Sequence, residues 1–260
     1  MQARGSAWIL LRGWGRESGH WGEFPLSLAD ALHSQVLCLD LPGVGARNNE
    51  ASPLTIQRQV DAVRNAITAL RANGTPGLKL YLLAISFGSM VATDWAQRFP
   101  EELSGLVMIN PSFKGLSPWY CRLRPQAIPF IIRAVFEDDP VKSELRVLSQ
   151  VSNSPALYLK TATLWARIRK TRPVSKLNFF RQLLAASLAK LPLQPAFRVP
   201  TLILGSQADR LVNSSRCSSD AAQALKAELK FHPTAGHDLP LDDPEWLVGE
   251  LVAWLQKHLT

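Results

Sequence analysis

Short runs rich in β-branched and large apolar residues recur along the chain, most of them continuously apolar, and most are separated by stretches with helical periodicity. Each run ends at a turn signal. The six runs are Ala7–Leu11, Val36–Leu39, Leu78–Ile85, Gly105–Ile109, Pro200–Leu204 and Leu229–His232. Unbroken apolar strands are typical of a parallel sheet that is covered on both faces. Alternation of such strands with helices predicts right-handed crossovers and a doubly wound, mostly parallel α/β sheet.

Helical periodicity fills the intervals between most of these runs. Apolar residues recur at helical spacing over Ile56–Ala72, and further helices are predicted at Met90–Arg98 and Glu245–Leu259. At 260 residues, the chain has room for one large domain or for one domain that carries an inserted subdomain. A chain of this size can bury a sizeable core without disulfides or metals. We therefore expect a single α/β core.

The alternation stops between residues 112 and 195, where the pattern is helical throughout and is punctuated by prolines. We predict that residues 1–111 and 196–260 form the core, and that residues 112–195 form a helical insertion that lies over the sheet as a lid. This insertion also holds the excess positive charge. The net charge of the chain is +8, and residues 112–195 contain 14 Lys and Arg against 4 acidic residues.

Composition and spacing disfavour several classes of protein. Three scattered cysteines give neither a disulfide framework nor a metal-binding pattern, which favours a cytoplasmic protein without a metal. The runs Ala7–Leu11 and Leu80–Thr93 are too short for a signal peptide or a membrane span, respectively. The glycines form no dinucleotide fingerprint, and the basic segment matches no nucleic-acid-binding motif. We therefore expect no cofactor, no nucleic acid partner and no membrane span.

The third strand runs straight into a helix through Ser86, and this junction approximates the G-x-S-x-G nucleophile elbow. In such an elbow, a sharp turn exposes the serine hydroxyl at the end of the strand. Strand and helix approach each other closely there, so only small residues fit two positions to either side. Ala84 and Gly88 meet that requirement. A serine in an ordinary turn between a strand and a helix is the alternative interpretation.

A nucleophilic serine needs a base, and the base needs an acid that orients it. Asp209 follows the fifth strand in a loop of small residues, and His237 follows the sixth strand in a similar loop. The carboxyl ends of parallel strands meet at one edge of a sheet, where open α/β sheets bind their ligands. The order Ser86, Asp209, His237 is the order that α/β-hydrolases use. These residues predict a Ser-His-Asp triad.

Two further motifs extend the resemblance to a family. Leu10–Gly15 reads L-L-R-G-W-G, and Asp40–Gly45 reads D-L-P-G-V-G. With the elbow, they make the chain resemble the α/β-hydrolase superfamily over nearly its whole length. The chain is similar to small lidded esterases, including the pimeloyl-ACP methyl ester esterases. It departs from them at Arg12, where these esterases have histidine, so the hydrogen bonds that brace this loop are expected to differ.

The resemblance implies an oxyanion hole formed by the backbone N–H groups of Trp14 and Phe87. It also implies a lid whose apolar underside faces an acyl chain and whose basic face attracts an acidic carrier protein or an anionic substrate. The candidate apolar residues are Trp119, Trp165, Phe179 and Phe180, and the candidate basic residues are Arg122, Arg124, Arg146, Arg167 and Arg169. A solvated helix face is the alternative explanation of these charges.

These residues predict a serine hydrolase that cleaves small carboxylic esters through an acyl-enzyme. Three alternatives stay open at this point. The first is an esterase of methyl esters bound to an acyl-carrier protein, and the second is a hydrolase of carbon–carbon bonds or an acyltransferase with the same triad. The third is a catalytically silent binding protein on the same fold.

Overall fold

In a computed structural model, residues 6–72, 79–192 and 196–258 are described. They form six strands that all run parallel, in the order β2-β1-β3-β4-β5-β6. The strands are β1 (Ser6–Leu11), β2 (Gln35–Leu39), β3 (Lys79–Ile85), β4 (Gly105–Ile109), β5 (Thr201–Ser206) and β6 (Glu228–His232). The predicted doubly wound parallel sheet is confirmed, and each predicted run overlaps one of these strands. Leu78, the first residue of the third predicted run, lies outside the described residues.

Eleven α-helices accompany the strands within the described ranges. They are α1 (Phe24–Leu32), α2 (Ile56–Ala72), α3 (Phe87–Arg98), α4 (Trp119–Arg122), α5 (Ile128–Val135), α6 (Pro140–Val151), α7 (Tyr158–Thr171), α8 (Lys176–Leu188), α9 (Ser214–Leu225), α10 (Leu239–Asp242) and α11 (Pro244–His258). The three predicted helices are confirmed as α2, α3 and α11. Leu259, the predicted end of the last helix, lies outside the described residues. None of the described helices is long and apolar enough to cross a membrane.

Helices cover both faces of the sheet, which explains why the strands are continuously apolar. In β1, Ile9 and Leu11 belong to a core that includes side chains of α2, α3 and α9. Trp8 and Leu10, which alternate with them, pack into a second core with side chains of α1 and α11. Successive strand residues point to opposite faces, so a strand buried on both sides has no polar face to show.

The five helices α4–α8 all lie between β4 and β5 in the chain. Proline supplies an early helical residue in several of these elements, where its missing N–H removes no helical hydrogen bond. Pro140 starts α6, and Asp139 caps it by accepting hydrogen bonds from two backbone N–H groups of the first turn. Leu148, Ala162 and Trp165 form a small core between α6 and α7. The lid function and the limits 112–195 stay predictions, and residues 193–195 lie outside the described ranges.

The strand order places a crevice at the carboxyl end of β1. This strand pairs with β2 on one side and β3 on the other, so the connections after β1 and β3 diverge to opposite faces of the sheet. Open α/β sheets bind their ligands at such a switch point. The loop from Arg12 to Trp14 leaves β1 here, and Ser86 ends β3 next to it.

Candidate active site

Ser86 lies at a strained turn between β3 and α3. Its backbone has a φ of 54° and a ψ of −116°, and its N–H donates to the carbonyl of Ile109 on β4 at 2.9 Å. The helix begins at Phe87, so the chain reverses within one residue. A Cβ atom at Gly88 would lie 2.5 Å from the carbonyl oxygen of Leu11. The close approach of helix and sheet therefore requires glycine at this position, as the elbow motif predicts.

His237 and Asp209 are joined by a buried hydrogen bond. The imidazole Nδ1 lies 2.6 Å from Asp209 Oδ2, and the two residues are only 5% and 2% exposed. The other carboxylate oxygen accepts hydrogen bonds from the backbone N–H groups of Leu211 at 2.8 Å and Val212 at 2.9 Å. An ionised carboxylate can only accept, so Nδ1 is the donor in this hydrogen bond, and in the neutral form of the ring Nε2 is then the acceptor.

Asn110, which the sequence analysis did not single out, holds together the loops that carry this pair. It follows β4 with a φ of 49°, a conformation that asparagine tolerates better than most residues. Its amide donates to the carbonyl of His237 at 2.8 Å and to Ser206 Oγ at 3.1 Å. Its side-chain oxygen accepts from Ser214 Oγ at 2.6 Å. The Asn-Pro pair at the end of β4 is the sequence signal that could have found it.

A cavity of about 320 Å³ opens above these residues. Ser86 and His237 both line it, together with the loop of residues 12–17 and side chains from helices α5–α8. No hydrogen bond joins Ser86 Oγ to His237 among the contacts of the described residues. Ser86 and His237 therefore share one cavity, but they are not hydrogen-bonded in this conformation, and the triad stays a prediction. The described residues contain no group of three or more His, Cys, Asp or Glu that could hold a metal ion.

Arg12 forms a buried ion pair with Asp238, the residue after His237. Both nitrogens at the end of its side chain donate to the carboxylate, with Nη1 at 3.0 Å from Oδ1, and each residue is 3% exposed. The guanidinium also lies over the ring of Trp21, 4.7 Å from its centroid. The loop after β1 is thus braced directly against the loop after β6. In this chain, the ion pair of Arg12 and Asp238 braces the loop, at the position where the similar esterases have histidine.

The two amides predicted to form an oxyanion hole lie at the switch point. Phe87 is the first residue of α3, and the first-turn N–H groups of a helix have no partner within it. Trp14 lines the cavity, and its indole Nε1 donates to the carbonyl of Phe179 at 2.8 Å. The rings of Trp14 and Phe179 lie 4.1 Å apart, and the N–H of Gly15 donates to Gln182 Oε1 at 2.9 Å. These contacts fix the loop against α8.

Of the four predicted apolar lid residues, one lines the cavity that contains Ser86. Phe179 does so, and it also borders a smaller apolar cavity of about 210 Å³, where Phe180 lies. Trp165 is buried in the small core between α6 and α7, with Arg16 over its ring. Trp119 is 66% exposed and lines neither cavity. The expectation that Trp119 and Trp165 face the substrate does not agree with these positions.

The five predicted lid arginines also divide. Arg146 and Arg169 line the cavity that contains Ser86. Arg122 and Arg124 do not line it, because their side chains donate to main-chain carbonyls in α8 and just before α9. Burial lowers the pKa of Arg122 from its ordinary value. Arg167 lies on an exposed part of α7 and does not line the cavity.

Several polar residues of the cavity wall were not predicted from the sequence as site residues, and five of them form one cluster of charged and ring side chains. They are Arg16, Glu17, His20, Glu144 and Arg172. Arg16 pairs with Glu144 at 2.7 Å, and Arg172 pairs with Glu17 at 2.6 Å. Burial raises the pKa of Glu17, and burial together with the nearby arginines lowers the pKa of His20 well below its ordinary value of 6.5. No local motif marks these pairs, because their members are far apart in sequence.

The fold and this geometry agree with a family model for the alpha/beta hydrolase family, which matches residues 8–250. The chain belongs to the alpha/beta hydrolase family. Solved structures of other alpha/beta hydrolases have the same architecture. An esterase from Thermogutta terrifontis superimposes with a TM-score of 0.74 at 20% identity, and the match covers 98% of this chain and 91% of that one. At this identity, the likeness shows the fold alone.

Curated relatives of this alpha/beta hydrolase include esterases and a lipase. The biotin biosynthesis bifunctional protein of Teredinibacter turnerae is 28% identical over 151 residues, which cover 54% of this chain and 25% of that protein. The pimeloyl-[acyl-carrier protein] methyl ester esterase of Sodalis glossinidius is 30% identical over 132 residues, 50% of this chain and 46% of that esterase. A monoacylglycerol lipase of Homo sapiens is 20% identical over 91% of this chain and 71% of that lipase. The matches to the first two relatives thus cover less than half of those proteins.

Proposed function

We propose that the protein is a serine hydrolase that cleaves carboxylic esters, with Ser86 as nucleophile, His237 as base and Asp209 as orienting acid. One observation carries the proposal. Ser86 stands at a positive φ on an elbow and lines a cavity, and the same cavity is lined by an imidazole whose Nδ1 is held by a buried carboxylate. A serine at a strained turn in the same cavity as an imidazole oriented by a carboxylate is the arrangement that acyl transfer uses.

The reaction begins when Ser86 Oγ attacks the ester carbonyl and His237 Nε2 takes the hydroxyl proton. The imidazolium that forms is stabilised by Asp209, which accepts the Nδ1 proton in a hydrogen bond and is itself fixed by two backbone N–H groups. The N–H groups of Trp14 and Phe87 stabilise the oxyanion. His237 then donates its proton to the departing alcohol, and the acyl group stays on Ser86. A water molecule repeats the sequence and releases the acid.

The reaction also requires Ser86 Oγ to turn towards His237 Nε2, because the two side chains are not hydrogen-bonded in this conformation. Hydrogen bonds of this kind are often long or poorly aligned without substrate and shorten when it binds. The adjoining loops are already held in place. Arg12 and Asp238 connect the loops after β1 and β6, and Asn110 connects the His237 loop to the end of β5.

Labelling with a fluorophosphonate tests the assignment of the nucleophile. The wild-type protein should be labelled and should hydrolyse p-nitrophenyl esters, and Ser86→Ala should do neither. Asp209→Asn should lower kcat by about 10⁴-fold because the wrong imidazole tautomer is favoured. Asp30→Asn, at an exposed position on α1, provides the matched control and should keep full activity. Equal labelling of wild type and Ser86→Ala, or no labelling of folded wild type, would refute the proposal.

A second candidate is the hydrolysis of methyl esters carried by an acyl-carrier protein. The similarity to a pimeloyl-[acyl-carrier protein] methyl ester esterase favours it, as does the positive charge of residues 112–195. Hydrolysis of a carrier-bound ester should then fall steeply as salt is added, whereas hydrolysis of a small neutral ester should not. Similar salt dependence for both substrates would remove this candidate. A panel of esters, thioesters and diketones would separate ester hydrolysis from acyl transfer and carbon–carbon cleavage.

A further inference from the structure

The cavity that contains Ser86 is lined by more cationic than anionic side chains. Arg12 and Asp238 compensate each other beside Ser86. Apart from this pair, the lining contains five cationic side chains and two anionic ones. The cations are Arg16, Arg146, Arg169, Arg172 and Lys176, and the anions are Glu17 and Glu144. The cations come from the loop after β1 and from α6, α7, the turn after it and α8. The excess of positive charge is therefore found in the lining of the cavity, and not on the exposed outer surface alone.

The burial of these groups determines which charge the cavity presents. The side chains of Glu17 and Glu144 are only 1% and 5% exposed, whereas those of Arg169 and Arg172 are 36% and 39% exposed. The carboxylates are thus buried, whereas the guanidinium groups that pair with them are partly exposed. His20 also lines this cavity, and burial, together with the nearby arginines, lowers its pKa. The groups that a ligand would meet are cationic.

Two of these cations have donors to spare. In Arg169, Nη1 donates to Ser143 Oγ and lies 3.9 Å from Glu144, which Arg16 approaches more closely. Lys176 has its ammonium 4.5 Å from the ring centroid of Phe136, and no carboxylate of the described residues forms an ion pair with it. A cation–π contact leaves the N–H groups of an ammonium able to bind an anion. If these cations served only to neutralise the carboxylates of the cavity wall, Arg169 and Lys176 would not keep N–H groups available for an anion.

We propose that the cavity selects esters that carry a second, anionic group, a carboxylate or a phosphate, and that Arg169 and Lys176 bind this group while the ester carbonyl lies at Ser86. The inference rests on the hydrolase function proposed above. Apolar residues that line the same cavity, among them Ile131, Val135 and Val147, would contact the alkyl chain that joins ester and anion. The substrate class is thus an ester of a chain with an acidic end, held at both ends.

The test compares matched substrates on the full-length protein. A monomethyl ester of a dicarboxylic acid is compared with the dimethyl ester of the same acid, over a series of chain lengths, and with a methyl ester that ends in a phosphate. Wild type should have a kcat/KM at least about 10-fold higher for one anionic class than for the neutral ester, because hydrogen bonds to charged groups are the strong ones. The preference should appear mainly in KM and should shrink as salt is added. The better of the two anions identifies the acidic group.

Three variants locate the effect. Arg169→Gln and Lys176→Gln should each lower the preference, that is the ratio of kcat/KM for the anionic ester to kcat/KM for the neutral ester, about 10-fold. Lys170→Gln removes the same charge from an exposed site next to Arg169 that does not line the cavity, and it should leave the preference unchanged. Lys176 makes no ion pair with the residues that the structure describes, so its variant remains informative if Arg169→Gln does not fold.

The outcomes separate the two proposals. If wild type hydrolyses the neutral ester as well as or better than both anionic esters, the anion site is refuted although the hydrolase proposal stands. Equal losses for Lys170→Gln and Lys176→Gln would also refute the site, because they would show a general effect of net charge. If no ester is cleaved and Ser86 is not labelled by a fluorophosphonate, the hydrolase proposal itself fails.

Discussion

Replacement of Arg12 by methionine should destabilise the protein more than most single substitutions. Arg12 and Asp238 are each 3% exposed and are joined by two hydrogen bonds, so the variant would leave a carboxylate buried without its partner. Breaking a buried ion pair from one side costs about 3–5 kcal/mol in the free energy of unfolding. Methionine keeps much of the side-chain volume and can still contact Trp21, over which the guanidinium now lies. The loss is therefore electrostatic rather than a packing defect.

A double-mutant cycle followed by urea unfolding measures the coupling free energy between Arg12 and Asp238 directly. Arg12→Met and Asp238→Leu should each be strongly destabilising, while the double variant should lose much less than the sum of the two. The coupling free energy should be at least about 2 kcal/mol, because removing both charges leaves no unpaired ion. Additive losses, or an Arg12→Met protein within about 0.5 kcal/mol of wild type, would show that the pair does not brace the two loops.

Two further predictions concern packing and protonation. A Cβ atom at Gly88 would lie 2.5 Å from a backbone oxygen of β1, so Gly88→Ala should lower the free energy of unfolding by about 3 kcal/mol. Gly249→Ala on α11, where a Cβ atom would meet nothing within 4 Å, is the control and should raise it by about 1 kcal/mol. A small loss for Gly88→Ala in thermal unfolding would contradict the close packing of the elbow. His20 has a folded-state pKa well below its ordinary value of 6.5, so its contribution to stability is present above pH 6.5 and is lost as the pH falls below it. Between pH 7.5 and 5.5, wild type should therefore lose more of its free energy of unfolding than His20→Gln loses in urea unfolding, and parallel pH profiles of the two proteins would be inconsistent with a buried neutral His20.

The four central strands, β1, β3, β4 and β5, could be predicted because they are buried on both faces. Such burial leaves an unbroken apolar run in the sequence, and the sheet then forces the residues that follow β3, β5 and β6 to one edge. That constraint is why Ser86, Asp209 and His237 could be chosen from the sequence. The position of the Ser86 hydroxyl relative to the His237 ring could not be predicted, since it depends on side-chain rotation rather than on the order of the strands.

The helical wall of the cavity was harder to predict. Trp119 lies in α4, which has only four residues and therefore no periodicity that could indicate which side faces inwards. Arg146 and Arg167 look equivalent in sequence, yet one lines the cavity and the other is exposed. The inward direction of a helix depends on its partners in space. The pairs Arg16–Glu144 and Arg172–Glu17 join residues more than a hundred positions apart, and no local pattern records them.

The position of Asn110 suggests how this scaffold could acquire new specificity. Its amide group connects the ends of β5 and β6 and the start of α9, and it stands at the last point of the chain before the segment that contains α4–α8. Substitutions or insertions after Asn110 and before β5 alter the cavity wall that a substrate contacts. The hydrogen bonds of Asn110 that hold the His237 loop are not affected by such changes. Variation could therefore act on recognition and leave the chemistry intact.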